Sequence, residues 1–286
     1  MDTKSKIIVC YHKDFPIFKN EVLLPLHVGK EISANMIEDV ETDNTGDNIS
    51  IKNVSYCELT GLYWLWKNVE AKNYGLFHYR RFLDLKNKYN TKNFIYPSIL
   101  NINDWSSRLV DSLMDTYDII LPEKTIFDLS IYDYYKKKHI INDLDIVVDI
   151  IKQDYPQYSS ACDKALSNNE CYFCNMFIMK KDIFNEYCTW LFDILHKAEE
   201  KIIYKGRNSY QRRVFGFLSE RMLNIFIQYK IDTNPNIRIK EVKTIFIDDE
   251  PVKKIFFGIG EYLRFPSKIF FRFANIKFTH HIKEHK

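Results

Sequence analysis

Short runs of apolar, β-branched residues alternate along this chain with longer stretches of helical periodicity. The first run, Lys6–Tyr11, predicts a buried strand that opens into the loop His12-Lys13-Asp14-Phe15-Pro16, and a second short strand fits residues 23–28. Residues 43–48, crowded with Asp, Asn and Gly, predict a loop. Leu59, Leu62, Tyr63, Trp66 and Val69 recur at helical spacing and predict a helix with one core face. Buried strands are expected at 74–78, ending in Tyr79-Arg80-Arg81, and at 117–121, stopped by Pro122. Residues 128–138 and 142–153 predict helices, and Pro156 ends that region. A strand over 171–179 leads into a helix from about Lys181, with Phe184, Tyr187, Cys188, Leu191, Phe192 and Leu195 on one face. The next helix carries Val214, Phe217, Leu218, Ile225 and Tyr229, and a last strand falls near 237–247.

Strands alternating with helices predict an α/β fold whose sheet is covered on both faces. No internal repeat or long linker divides it, so residues 1–250 are expected to form one domain. Residues 251–286 form a basic aromatic tail, expected to be helical. Folds of this class bind ligands at the carboxyl ends of parallel strands. That rule singles out the loop after the first strand and the cluster at 78–81.

Composition narrows the field. With 46% hydrophobic and 28% charged residues, the chain reads as globular. Only 8 of its 286 residues are glycine, with no G-x-G-x-x-G and no G-K-[ST], which excludes the glycine-rich phosphate loops of dinucleotide dehydrogenases and P-loop ATPases. The polar start and the lack of an 18-residue apolar run predict a cytoplasmic protein, whose six cysteines stay reduced. Cys171-x-x-Cys174 has no second ligand pair and reads as structural. The net charge is +3, but residues 251–286 hold eight Lys/Arg against Glu261 and Glu284, leaving −3 on the rest. This distribution argues against a nucleic-acid partner. A tail of mixed aromatic and cationic residues suits either the headgroup region of an anionic membrane or a helix packed on the domain.

The candidate chemistry concentrates in three places. Arg80 and Arg81 leave an apolar strand together, and each presents a planar fork matched to phosphate or carboxylate oxygens. The competing reading pairs them with acids on neighbouring loops and leaves His78 as a satisfied core residue. Asp43, Asn44, Gly46, Asp47 and Asn48 can bind sugar hydroxyls or a divalent cation, or serve as a plain turn and cap. They do not match a calcium loop. Glu220, beside Arg221 and two turns beyond Arg212-Arg213, is a general-base candidate or a simple helix ion pair. Asp248-Asp249 is a weaker acidic pair, and no Ser–His–Asp arrangement follows from the spacing.

Five blocks, read together, carry a family resemblance: Asp43-Asn44-Thr45-Gly46-Asp47-Asn48-Ile49-Ser50, residues 57–68, His78-Tyr79-Arg80-Arg81, residues 175–179 and residues 216–221. Over roughly residues 6–229 the chain resembles the uncharacterised-domain family of bacterial capsular and exopolysaccharide clusters, generally regarded as glycosyltransferases. The resemblance implies a GT-A-like domain with a mixed, mostly parallel sheet flanked by helices. It implies a nucleotide-diphosphate sugar donor, a UDP-sugar by first choice, and a polyprenol-linked capsular, exopolysaccharide or O-antigen acceptor. Many GT-A enzymes hold a metal with a D-x-D motif where this chain carries His78-Tyr79-Arg80-Arg81, so Arg80 and Arg81 are expected to neutralise the departing diphosphate, with Mn²⁺ or Mg²⁺ as an open alternative. His12, Lys13, His78 and Tyr79 are expected at the donor, with Asp43, Asn44, Gly46, Asp47 and Asn48. Asn175 looks placed to contact the donor sugar, and Glu220, with Glu58 second, to take the acceptor proton. The tail would then hold the enzyme on the inner face of the inner membrane. The rival expectation is a non-catalytic glycan- or lipid-binding assembly protein.

Overall fold

A computed structural model describes residues 4–91 and 94–249, together with the backbone of four strands beyond them. The strand β1 (Lys6–Tyr11) is apolar on both faces, as a central strand must be. Ile7, Val9 and Tyr11 enter one core and Ile8 and Cys10 the other, each at most 3% exposed. It pairs in parallel with β2 (Leu23–His27) and with β4 (Asn73–His78), and β2 continues in parallel to β3 (Glu41–Thr42). Beyond β4, the strand β9 (Phe177–Lys180) runs antiparallel both to β4 and to β6 (Ile119–Pro122), and β10 (Ile239–Val242) joins β6 in parallel. The sheet is therefore mixed and mostly parallel, in the order β10-β6-β9-β4-β1-β2-β3.

Helices cover both faces. Against one lie α1 (Asn53–Tyr56), α2 (Leu59–Asn68), α4 (Ile131–Lys138), α5 (Ile141–Asp154), α6 (Ser159–Ser167), α7 (Lys181–Lys201) and α8 (Val214–Thr233), whose apolar stripes merge into the larger core. The stripe expected on α7 faces inward, and Phe184 stacks on Tyr74 of β4 with ring centres 4.2 Å apart. On the other face, α3 (Ser107–Thr116) and the loops around Phe18 and Trp105 close the second core. A two-residue turn, Tyr79-Arg80, leads from β4 into β5 (Arg81–Leu83), which pairs with β11 (Thr244–Phe246).

Several expectations need correction. Residues 171–179 form two strands. The first, β8 (Glu170–Cys171), pairs with β7 (Thr125–Ile126), and a turn with positive φ at Cys174 (71°) and Asn175 (52°) separates it from β9. Residues 237–247 likewise divide, since β10 and β11 pair with different strands. The helices α3 and α6 were not anticipated. The first carries Leu109, Val110, Leu113 and Met114 on one face, a helical stripe packed on the second core, and the second buries only the small residues Ala161, Cys162 and Ala165 beside Leu166. The tail, expected to be helical, forms the antiparallel strands β12 (Lys253–Phe257), β13 (Gly260–Arg264), β14 (Lys268–Phe273) and β15 (Ile276–His281). Its Ile, Phe and Tyr content favours strands. The tail's side chains, and with them its expected membrane contact, lie outside the described residues.

Candidate active site

The strands β1 and β4 end side by side, with Cys10 opposite His78. At this carboxyl edge the Tyr79 amide donates to Cys10 O (3.1 Å). The buried Tyr79 ring lies among Tyr11, His12 and Phe15, at centroid distances of 5.8, 5.1 and 5.2 Å, with Lys13 Nζ 6.0 Å above it. His12 is pushed down to about 4, by desolvation first and then by the charges of Lys13 and Arg213. Arg80 lies 5.1 Å over Phe15 and reaches both Asp248 (3.0 Å) and Asp249 (2.8 Å).

The two adjacent arginines part company here. His78 and Arg81 face each other across the hairpin, so their side chains share one face of the sheet. His78 Nε2 donates to the Cys174 carbonyl (2.7 Å), an assignment that follows from the partner being an acceptor only. Arg81, half-buried, makes no ion pair or side-chain hydrogen bond with the described residues. Its charge instead acts on His78, Cys174 and Glu220.

Glu220, on α8, accepts hydrogen bonds from the Cys174 amide at Oε1 (3.2 Å) and from Arg221 Nη1 at Oε2 (2.7 Å). Burial raises its pKa above the ordinary 4.5, with Glu58 adding to the rise, while Arg221 and Arg81 oppose it. Glu58, immediately before α2, accepts from Asn175 Nδ2 (2.7 Å), which also donates to Ser219 Oγ (2.8 Å). Asn175 is 1% exposed and its carbonyl oxygen, Oδ1, has no partner. Cys57, Cys174 and Asn175 all hold positive φ next to these two carboxylates, a local strain of the kind that collects at functional sites. Arg213 Nε, 3.3 Å from Cys57 Sγ, closes the group.

The loop at 43–48 behaves differently. Asp43 is fully buried and accepts from the Gly29 and Lys30 amides (2.8 and 3.0 Å) and from the Ser50 and Thr60 hydroxyls. The rest of the loop turns away. Asn44 bonds Glu31, Gly46 packs at φ 56° against Asn68, the Asp47 amide bonds Asn68, and Asn48 bonds Gly46. Asn68 is the last residue of α2, roughly 15 Å from Glu58 at 1.5 Å per residue. The structure thus gathers His12, Lys13, His78, Tyr79, Arg80, Arg81, Asn175 and Glu220 at one edge and leaves Asn44, Gly46, Asp47 and Asn48 outside it. It also brings in Phe15, Cys57, Ser219 and Arg213, none of which was named as a site residue from the sequence. Each carried a signal there, Phe15 in the loop after the first strand, Cys57 and Ser219 in the blocks at 57–68 and 216–221, and Arg213 in the Arg212-Arg213 pair ahead of a helix.

Among the described residues no three His, Cys, Asp or Glu side chains converge to hold a metal ion by themselves, and the adjacent carboxylates of Asp248 and Asp249 are engaged by Arg80.

Among solved structures, the chain is similar to the apo form of WbbM, a bifunctional glycosyltransferase. The TM-score is 0.80 at 33% identity, over 86% of this chain and 46% of that one. The present chain therefore spans about half the length of that protein. Curated proteins give no match. Residues 6–231, which hold every strand of the main sheet up to β9 and the whole carboxylate cluster, match a domain of unknown function, DUF4422, and the chain belongs to that family.

Proposed function

We propose that this protein is a GT-A-like glycosyltransferase that moves a sugar from a nucleotide diphosphate to a glycan acceptor. The observation that carries the reading is an unpaired arginine, Arg81, set beside two carboxylates, Glu58 and Glu220, at the carboxyl edge of a parallel β-pair. The similarity to WbbM, itself described as a bifunctional glycosyltransferase, supports it.

In this reading His12, Lys13 and Tyr79 hold the nucleotide, and Arg80 keeps the edge in place through its acidic partners. The unpartnered Asn175 carbonyl oxygen accepts a hydroxyl of the donor sugar. Glu220 takes the acceptor proton as the new glycosidic bond forms and the bond to the diphosphate breaks, and Arg81 stabilises the negative charge that departs. The raised pKa of Glu220 suits a base, because a more basic carboxylate accepts the proton more readily. Asp43 acts only through the fold. A UDP-sugar is the first donor to test, and a polyprenol-linked acceptor at the inner membrane face is the expected partner. The eight cations of residues 251–286 favour that location.

The test is a thermal-shift panel of nucleotide diphosphates and nucleotide sugars, with and without Mn²⁺. A ligand at a hundred times its Kd stabilises the folded state by about 2.7 kcal/mol. A shift with one nucleotide class that disappears in Arg81→Ala supports the reading. No shift with any nucleotide, in folded protein, would overturn it in favour of a glycan-binding role.

A further inference from the structure

The segment between α7 and α8, residues 201–213, contains five cations and no carboxylate. Arg207 is neutralised by a bidentate pair with Asp143 (2.6 and 2.9 Å), whereas Lys201, Lys205, Arg212 and Arg213 are exposed. Among them Ile203 is 84% exposed and Tyr210 49%. The end of α4 adds the exposed run Lys136–Lys138 and a partly exposed Ile140. The two segments are fastened together. Gln211 donates to the Lys138 carbonyl (3.0 Å), and Tyr210 stacks on His139 with ring centres 5.7 Å apart. Glu200 is an exposed carboxylate that borders the face. The face adjoins the candidate active site, because Arg213 touches Cys57 and Phe217 packs on both His139 and Tyr210.

Single exposed apolar residues are ordinary, but this set sits inside a field of one sign. A partner made of phosphates alone would use the cations and leave Ile203 and Tyr210 idle. An anionic bilayer uses both kinds of group. Lysine and arginine meet the headgroup phosphates, while an aliphatic and an amphipathic aromatic side chain enter the boundary below them. We infer that this face docks on an anionic membrane surface. The inference goes beyond the transferase reading and does not depend on it, and it is separate from residues 251–286. Where both hold, docking turns the mouth of the carboxylate cluster towards an acceptor carried in the bilayer.

The experiment is co-sedimentation of the full chain with vesicles of phosphatidylcholine alone or mixed equally with phosphatidylglycerol. Binding is expected only to the anionic vesicles. The triple variant Lys201→Ala, Lys205→Ala, Arg212→Ala should weaken it on the order of a hundredfold at unchanged Tm, from about fivefold per removed cation. Ile203→Asp should weaken it as well, and added emission from Ile203→Trp should shift to the blue when anionic vesicles are supplied. Equal binding by wild type and triple variant would overturn the proposal and assign any membrane contact to residues 251–286. So would an unshifted Ile203→Trp, or binding to single-stranded RNA in place of vesicles. Nucleotide shifts are measured on the same variants, so loss of docking and loss of a donor site are told apart.

Discussion

Asn175 ties the turn before β9 to the head of α2, with Nδ2 2.7 Å from Glu58 and 2.8 Å from Ser219, while its own backbone sits at φ 52°. One residue thus meets two demands, a left-handed backbone and a buried amide. They can be separated. Asn175→Gly and Asn175→Ala both remove the amide, at about 1–3 kcal/mol for the buried groups left without a partner. Only the alanine also bears the left-handed backbone cost, so it should be the less stable by about 1 kcal/mol in urea unfolding. Equal stabilities would show that the turn relaxes.

Arg80 and Arg81 should part in their effects. Arg80→Ala breaks contacts to Asp248 and Asp249 at a largely buried position and should cost about 1–2 kcal/mol. Arg81→Ala loses no ion pair, so its stability should stay within about 0.5 kcal/mol while transfer falls at least on the order of a hundredfold. Denaturation curves beside turnover rates separate the two, and a stable, fully active Arg81→Ala would remove it from the site.

The pH profile follows from Glu220. A base works when deprotonated, so kcat/KM should rise with pH through its pKa, which burial and Glu58 place above 4.5. Glu58→Gln removes a like charge, and the acid limb should move to lower pH. Arg81→Ala removes an opposite charge and should move any residual activity to higher pH. Shifts in the opposite directions would take the base role away from Glu220.

Asp43→Asn should act on folding alone. It turns one of the acceptors that hold Gly29, Lys30, Ser50 and Thr60 into a donor facing donors, a loss of about 2–3 kcal/mol. At a temperature where the variant remains folded, its KM for the donor should match the wild type. A raised KM at unchanged stability would return Asp43 to the donor site.

Much of the fold was legible because apolar runs flanked by polar loops are local features. Lys6–Tyr11 is such a run, and its end lies beside that of β4. Which arginine would pair was not legible, since the partner of Arg80 lies 168 residues further on. Nor was the direction of the 43–48 loop, which is set by Asn68 at the far end of a helix rather than by its own residues. The break at Cys174-Asn175 hid inside an apolar run, because a positive φ leaves no mark on hydropathy. The tail misled for the converse reason. Its Ile, Phe and Tyr residues are strand formers as well as apolar bulk, and hydrophobic content alone does not separate helix from strand.

The ion pairs of Arg80 also set where this domain can be cut. The last strand of the main sheet to be paired, β11, ends at Phe246, yet the acids that anchor the turn after β4 come two and three positions later. A chain trimmed at the end of β11 would keep every strand of the main sheet and still lose the clasp on the turn at the candidate site. A shortened chain meant to keep that clasp must retain Asp249.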